Sequence, residues 1–425
     1  MRIALPLPLK TNIDSGILFV AGMFMLVSNI SLTLLNPDDI VSYWLTFVIW
    51  CISAIIGQVV LIQRLPKRDV LLFPSVMFLS GWGIIAIDRL APRFADRQII
   101  WLAISVAAML FVAVSPNILR WLRNYRYLWL FAGLLLLIST IIFGSNPSGS
   151  VNAPQLWLGA GNIFFQPSEL LKLILVVFVA SYLAEQYPLL RTPHATAMPR
   201  YHPRIIGPIL LMWGLAIIVL VWQRDLGTAI LFFLVFLALL YVASGNIFIP
   251  VAGFILTIIA GAIAYQAFSV VQLRVDIWIN PWADADGDAF QIVQSLHALA
   301  AGGIFGQGVG QGSPLIIPVV HSDFVYAAIV EEWGLFGAII IIGSFAILTT
   351  RGLQIGIQQN HPFRALLGIG LSVLIAVQSI IIMGGVIRLL PLTGITLPFL
   401  SYGGSSLLMS FIIIGLLLRL SNDLD

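Results

Sequence analysis

Apolar runs long enough to cross a bilayer recur along the whole chain, near 15–35, 40–63, 70–87, 98–118, 126–144, 166–187, 207–223, 225–244, 247–268, 322–349, 364–387 and 398–420. At ~1.5 Å rise per residue, about 20 residues span the ~30 Å hydrocarbon layer of a membrane. Alternating ten-residue strands, the mark of a membrane β-barrel, do not recur. The chain therefore reads as an all-α polytopic membrane bundle of about 12 transmembrane helices. Charge agrees: 9% of the 425 residues are charged, against about 25% in an ordinary soluble domain. That excludes a soluble enzyme, a DNA-binding domain and a disordered scaffold together. The weakest division is Gln223-Arg224-Asp225, where two runs nearly touch and a tight outer hairpin is expected. Met1 to Asp14 has no short apolar region followed by a small-residue site, so the first run counts as a true span. Cys51, the only cysteine, lies in an apolar run and reads as a small buried residue.

Basic residues orient the spans. With the N-terminus cytoplasmic, 14 of the 21 Lys and Arg fall on inner segments and 6 on outer ones, with Lys172 inside a span. Both termini are thus expected in the cytoplasm, and the longest connection, 269–321, outside. That loop carries Arg274, Trp278, Trp282, four Asp and an amphipathic piece near Gln291 to Ala301. Its aromatic and apolar content predicts short interfacial helices rather than disorder. Trp82 and Asp88-Arg89, near the outer end of the third run, read as interfacial anchors, with partner contacts as the alternative.

Ionisable groups inside spans are costly and mark function by default. Glu169 and Lys172 open the sixth run three residues apart, so they share a helix face. Asp225 begins the eighth run, Glu331 and Glu332 lie about two to three turns into the tenth, and Arg388 ends the eleventh. On this topology Glu169, Lys172, Asp225, Arg388 and the Asp-rich loop can meet in one outer-leaflet cavity. Cations there suit a lipid phosphate. The competing reading is a set of structural ion pairs, such as Glu169 with Lys172.

Other motifs are weaker. Counting from Asp284, an EF-hand would need Gly at 289 and Glu at 295, where Ala289 and Ser295 stand. No resident cofactor is expected, although a looser divalent cation site, for Mg or Mn, stays open. Gly306, Gly308, Gly310 and Gly312 follow no predicted strand, so the dinucleotide fingerprint is not met. The five histidines divide between the two sides and form no ligand cluster.

Several spaced stretches resemble the SEDS family of shape, elongation, division and sporulation proteins, typified by RodA and FtsW. They are Gln166-Pro167-Ser168-Glu169 with Lys172; Asp225-Leu226-Gly227-Thr228-Ala229; Asn280-Pro281-Trp282-Ala283-Asp284 with Phe290, Gln291, Gln294 and Ser295; His321-Ser322-Asp323-Phe324 with Glu331-Glu332; and Pro391-Leu392-Thr393-Gly394 through Leu397 to Ser406. Arg224, Ile382, Arg388 and Phe290 depart from common family residues, and the departures resemble a RodA-like branch. The resemblance implies a ten-helix core at 69–425, with the extracellular catalytic loop 269–321, preceded by two extra transmembrane helices at 1–68. It also implies a peptidoglycan glycosyltransferase that polymerises lipid II at the outer face of the bacterial cytoplasmic membrane. The implied partner is a class B penicillin-binding transpeptidase, for elongation or division.

That reaction needs a general base for a sugar hydroxyl and cations for a pyrophosphate leaving group. Inverting displacement needs no covalent intermediate. Asp284 is the expected base. Arg274, Lys172 and Arg388 are the candidate pyrophosphate clamps, Gln291 and Gln294 candidate sugar contacts, and Glu169 a support for Lys172. Ser401 to Ser406 read as a close-packing stretch. A lipid II flippase and a non-catalytic morphogenesis scaffold are the rival readings.

Overall fold

A computed structural model describes residues 7–146, 155–160, 163–190 and 225–424, with isolated positions at 214, 217, 218, 220 and 221. Side chains are described from Ile13 onward, except at 160, 163 and 187–190. Among the described residues, 11 helices are long and apolar enough to cross a membrane. They coincide with eleven of the expected runs. The run 207–223 apart from those isolated positions, the hairpin at Gln223-Arg224, and Arg2, Arg191, Arg200, Arg204, His194 and His202 lie outside the described residues.

The chain divides into two compact units: Met1–Val114 with Ala262–Arg351 and Gln378–Asp423, and Ser115–Gly261 with Gly352–Val377 and Leu424–Asp425. In lipid, the backbone must satisfy its own polar groups, which is why nearly every apolar run is a helix.

The first unit is built on α1 (Leu7–Leu35), α2 (Ile40–Arg64), α3 (Leu72–Leu90) and α4 (Pro92–Val114). Helix α3 is buried along most of its length. The Trp50 indole of α2 donates to the Met77 carbonyl of α3 at 3.0 Å. Ser42 and Thr46 of α2 donate to Asp88 at 2.9 and 2.7 Å. Asp14 of α1 is ion-paired with Arg68, both buried. Trp82 is 1% exposed and packs among Phe24, Phe78 and Trp333. It is therefore a core residue rather than an interfacial anchor: α1 covers the face that sequence periodicity alone leaves open to lipid.

The second unit contains α5 (Ile118–Asn124), α6 (Arg126–Phe143), a two-stranded hairpin, and α7 (Pro167–Leu190) and α8 (Leu226–Ser244). The hairpin pairs β1 (Leu158–Ala160) with β2 (Ile163–Phe165) antiparallel. Its aromatic and β-branched residues favour strand, but three-residue strands are too short to show an alternating pattern. Arg126 and Glu185 are joined by two hydrogen bonds of 2.6 Å.

Helix α9 (Phe248–Ala267) leads to the long connection, which holds α10 (Ser269–Ile279), a 3-10 turn at Pro281–Asp284, and α11 (Phe290–Gly302). Then come α12 (Val325–Ile357), α13 (Pro362–Val386) and α14 (Gly404–Asn422). Helix α12 is interrupted at Gly334, with φ 65° and ψ −158°. The glycine-rich segment docks into that break: the amides of Gln307 and Gly308 donate to the Glu331 and Glu332 carbonyls at 2.9 and 3.0 Å, and Leu335 donates to Gly303. A Cβ at Gly334 would overlap the Ile304 and Gly306 backbone, and one at Gly306 would overlap Glu332. The glycine run thus serves backbone contact between segments.

Candidate active site

In the first unit, Asn280 and Pro281 end α10 and open the 3-10 turn that carries Asp284. Proline pre-sets the first turn of a helix. Asp284 is exposed. Its Oδ2 accepts the Asp288 amide at 2.8 Å, and its carbonyl accepts the Gly287 and Ala289 amides at 3.2 and 3.3 Å. The carboxylate makes no other hydrogen bond among the described residues. A Cβ at position 287 would overlap both Asp284 carboxylate oxygens, so a side chain there would push the carboxylate from its present place. The result is one solvent-facing carboxylate held by a single backbone N–H.

Arg274 lies on α10, two to three turns before Asp284, and its guanidinium donates to the Thr393 carbonyl at 3.2 Å. Arg388 follows α13 and donates through Nε to Trp278 O and through Nη2 to Ile279 O, each at 2.8 Å. Gln291 and Gln294 are half-buried on the first turns of α11 and share a face. Neither amide makes a hydrogen bond among the described residues. Asp323, which the sequence places in the His321-Ser322-Asp323-Phe324 stretch without a role of its own, lies just before α12. Burial pushes its carboxyl above the usual range, opposed by a Ser322 hydrogen bond and the Arg274 charge. An acid directly ahead of an apolar run was the available signal. Burial likewise pushes His321 below its ordinary value.

Of Glu331 and Glu332, only the second is ion-paired among the described residues. Glu331 accepts the Ser313 amide at 2.8 Å, and Glu332 lies 3.4 Å from Arg89. Arg89 also donates to the Gly310 and Gly312 carbonyls, at 3.1 Å each. These three side chains tie the glycine-rich segment to α3 and α12. Gly404 packs so closely on Trp101 that a Cβ would overlap the indole, in line with a close-packing role for that stretch.

In the second unit, Glu169 and Lys172 are buried in the first two turns of α7, with their charged atoms 2.7 Å apart. Asp225 caps α8 by accepting the Thr228 amide at 3.2 Å, while its other oxygen is buried without a hydrogen-bond partner among the described residues. Lys172 stands at an apolar pocket lined by Leu175, Val179, Phe232, Phe236 and Leu374. The expected groups therefore fall into two sets: Arg274, Asp284, Gln291, Gln294 and Arg388 in one unit, Glu169, Lys172 and Asp225 in the other. Among the described residues, no three His, Cys, Asp or Glu stand together as metal ligands.

The sequence profile of the FtsW/RodA/SpoVE cell cycle proteins matches residues 63–425. The chain belongs to this SEDS family. The peptidoglycan glycosyltransferase RodA of Mycobacterium tuberculosis is 35% identical, over 98% of this chain and 92% of its own length. Within the SEDS family the chain falls on the RodA branch. A SEDS-like fold is also found in a solved peptidoglycan synthase complex described as coordinating polymerization and crosslinking. That match has a TM-score of 0.68 and 24% identity, over 84% of this chain and 98% of that one. The crystal structure of the Thermus thermophilus rod shape determining protein RodA matches with TM-score 0.59 and 23% identity, over 84% and 97%. With its membrane-spanning helices, this SEDS protein is a multi-pass protein of the bacterial inner membrane.

Proposed function

We propose that the chain is a glycosyltransferase that polymerises lipid II into glycan strands at the outer face of the inner membrane. Family membership supports peptidoglycan polymerisation in general. The observation that carries the finer reading is the Asp284 turn: an exposed carboxylate, fixed by one amide, following a helix that carries Arg274. On this reading Asp284 takes the proton from an acceptor sugar hydroxyl as that oxygen attacks the donor carbon. The undecaprenyl pyrophosphate leaves from the opposite face, so configuration inverts without a covalent enzyme intermediate. Pyrophosphate is already a competent leaving group and needs its developing charge balanced. Arg274 and Lys172 supply that charge, Glu169 holds Lys172 in place, and Gln291 and Gln294 offer amides to the sugars.

The topology that goes with this reading has 12 spans and both termini in the cytoplasm. The loop 269–321 faces outward on the core 69–425, behind two extra helices within 1–68. The partner is a class B penicillin-binding transpeptidase, which crosslinks the strands as they form.

Liposomes carrying the purified chain, its transpeptidase partner and labelled lipid II test the reading. The expected product is a ladder of glycan strands. Label crossing the bilayer without new sugar linkages would make the chain a flippase, and neither outcome a scaffold. The same assay decides the divalent cation. Loss of product with chelator, restored by Mg or Mn, requires one; product unchanged by chelator removes it from the mechanism.

A further inference from the structure

The proposal concerns how Asp284 is held in place, and it rests on the reading of Asp284 as the base. Behind α13 the chain turns sharply, with the Leu389 and Leu390 amides both donating to the Gly384 carbonyl at 2.7 and 3.1 Å. Arg388 sits in this turn at φ 59°. A non-glycine residue stays in that left-handed region only where its surroundings hold it there. What holds it is a reciprocal clasp. The guanidinium donates to the last two carbonyls of α10, Trp278 O and Ile279 O, at 2.8 Å each. The Trp278 indole donates back to the Arg388 carbonyl at 3.2 Å.

The final carbonyls of a helix have no partner within it, and the helix dipole favours a cation there. Arginine's planar fork reaches two adjacent carbonyls at once. The Asp284 turn begins at the next residue, Asn280. On its far side, Ser295 of α11 donates to Val386 O at 3.4 Å. Both helices that flank the turn are thus tied to the segment carrying Arg388.

We propose that Arg388 is a positioning residue: it fixes the C-terminal end of α10, and through it the place of the Asp284 carboxylate, and does not clamp pyrophosphate. The two roles give different kinetics. A phosphate clamp works in part through its charge, which lysine retains as a point charge. A two-carbonyl fork is not retained.

The test measures lipid II polymerisation by the full chain with its partner, for Arg388→Ala, Arg388→Lys and Trp278→Phe, together with amide hydrogen exchange of residues 280–289 without substrate. A misplacement of about 1 Å can cost about 100-fold in rate. Arg388→Ala is expected to lower kcat about tenfold or more, with KM within about twofold. Arg388→Lys is expected to recover little of that loss, and exchange across the turn to quicken in both. Trp278→Phe, which touches no substrate on either account, is expected to lower kcat in the same direction, and it carries the test if the Arg388 variants do not fold. A raised KM at unchanged kcat, full rescue by lysine, or unaltered exchange would overturn the proposal. Wild-type exchange and rates in the Arg388 variants, alongside an inactive Asp284→Asn, would sink the positioning role alone. An active Asp284→Asn would sink the reading beneath it.

Discussion

Asp284→Asn is expected to reduce lipid II polymerisation by about 10²- to 10⁴-fold, the range a positioned general base contributes. The substitution keeps shape and volume but removes the group that can take a proton from the acceptor hydroxyl. Its carbonyl oxygen can still accept the Asp288 amide that now binds Oδ2. The side chain is exposed and packs into no core, so the effect on stability is expected within about 0.5 kcal/mol. A gel of labelled glycan products and a thermal melt in detergent measure the two quantities on one preparation. A stable variant that makes no glycan fits the account. A stable variant with wild-type product lengths and rate removes Asp284 from the chemistry.

The second large effect concerns Lys172 and Glu169, which are 4% and 6% exposed. Lys172→Met leaves the Glu169 carboxylate buried beside an apolar side chain. Breaking a buried pair on one side costs about 3–5 kcal/mol. The single variant is therefore expected to melt well below wild type. Replacing both partners by apolar or neutral groups is often close to neutral, so Lys172→Met with Glu169→Gln is expected to regain most of the lost stability. Activity separates the roles. If Lys172 balances pyrophosphate charge, the stable double variant still polymerises poorly, with the loss in kcat as well as KM. If the pair only holds α7 together, the double variant recovers activity along with its melting temperature, and Lys172 leaves the mechanism.

Much of this fold was legible because a bilayer allows so few solutions. Runs such as 40–63 and 364–387 became helices close to their expected bounds, since length and apolarity decide the matter in lipid. Pairings three residues apart, such as Glu169 with Lys172, also follow from helix geometry alone. Other features depended on distant segments. The break at Gly334 exists to admit residues 303–308, which local periodicity within α12 does not register. Trp82 looked like an anchor because nothing in its own run shows that α1 covers it. The charge of Arg388 is visible in sequence, but the Trp278 and Ile279 carbonyls to which it donates lie some 110 residues earlier and are not. In the candidate site, sequence supplied the chemistry-bearing side chains. It did not supply which of them were already committed to the backbone.

On the proposed function the Asp284 turn faces the cell wall, where lipid-linked sugars are joined. The direct measurement is labelling of intact spheroplasts with a membrane-impermeant maleimide, using Asp286→Cys or Lys67→Cys in a Cys51→Ser background. The account predicts that position 286 reacts in intact cells, while position 67, between α2 and α3, reacts only after permeabilisation. Labelling at position 67 from outside, with position 286 protected until the membrane is opened, would contradict it.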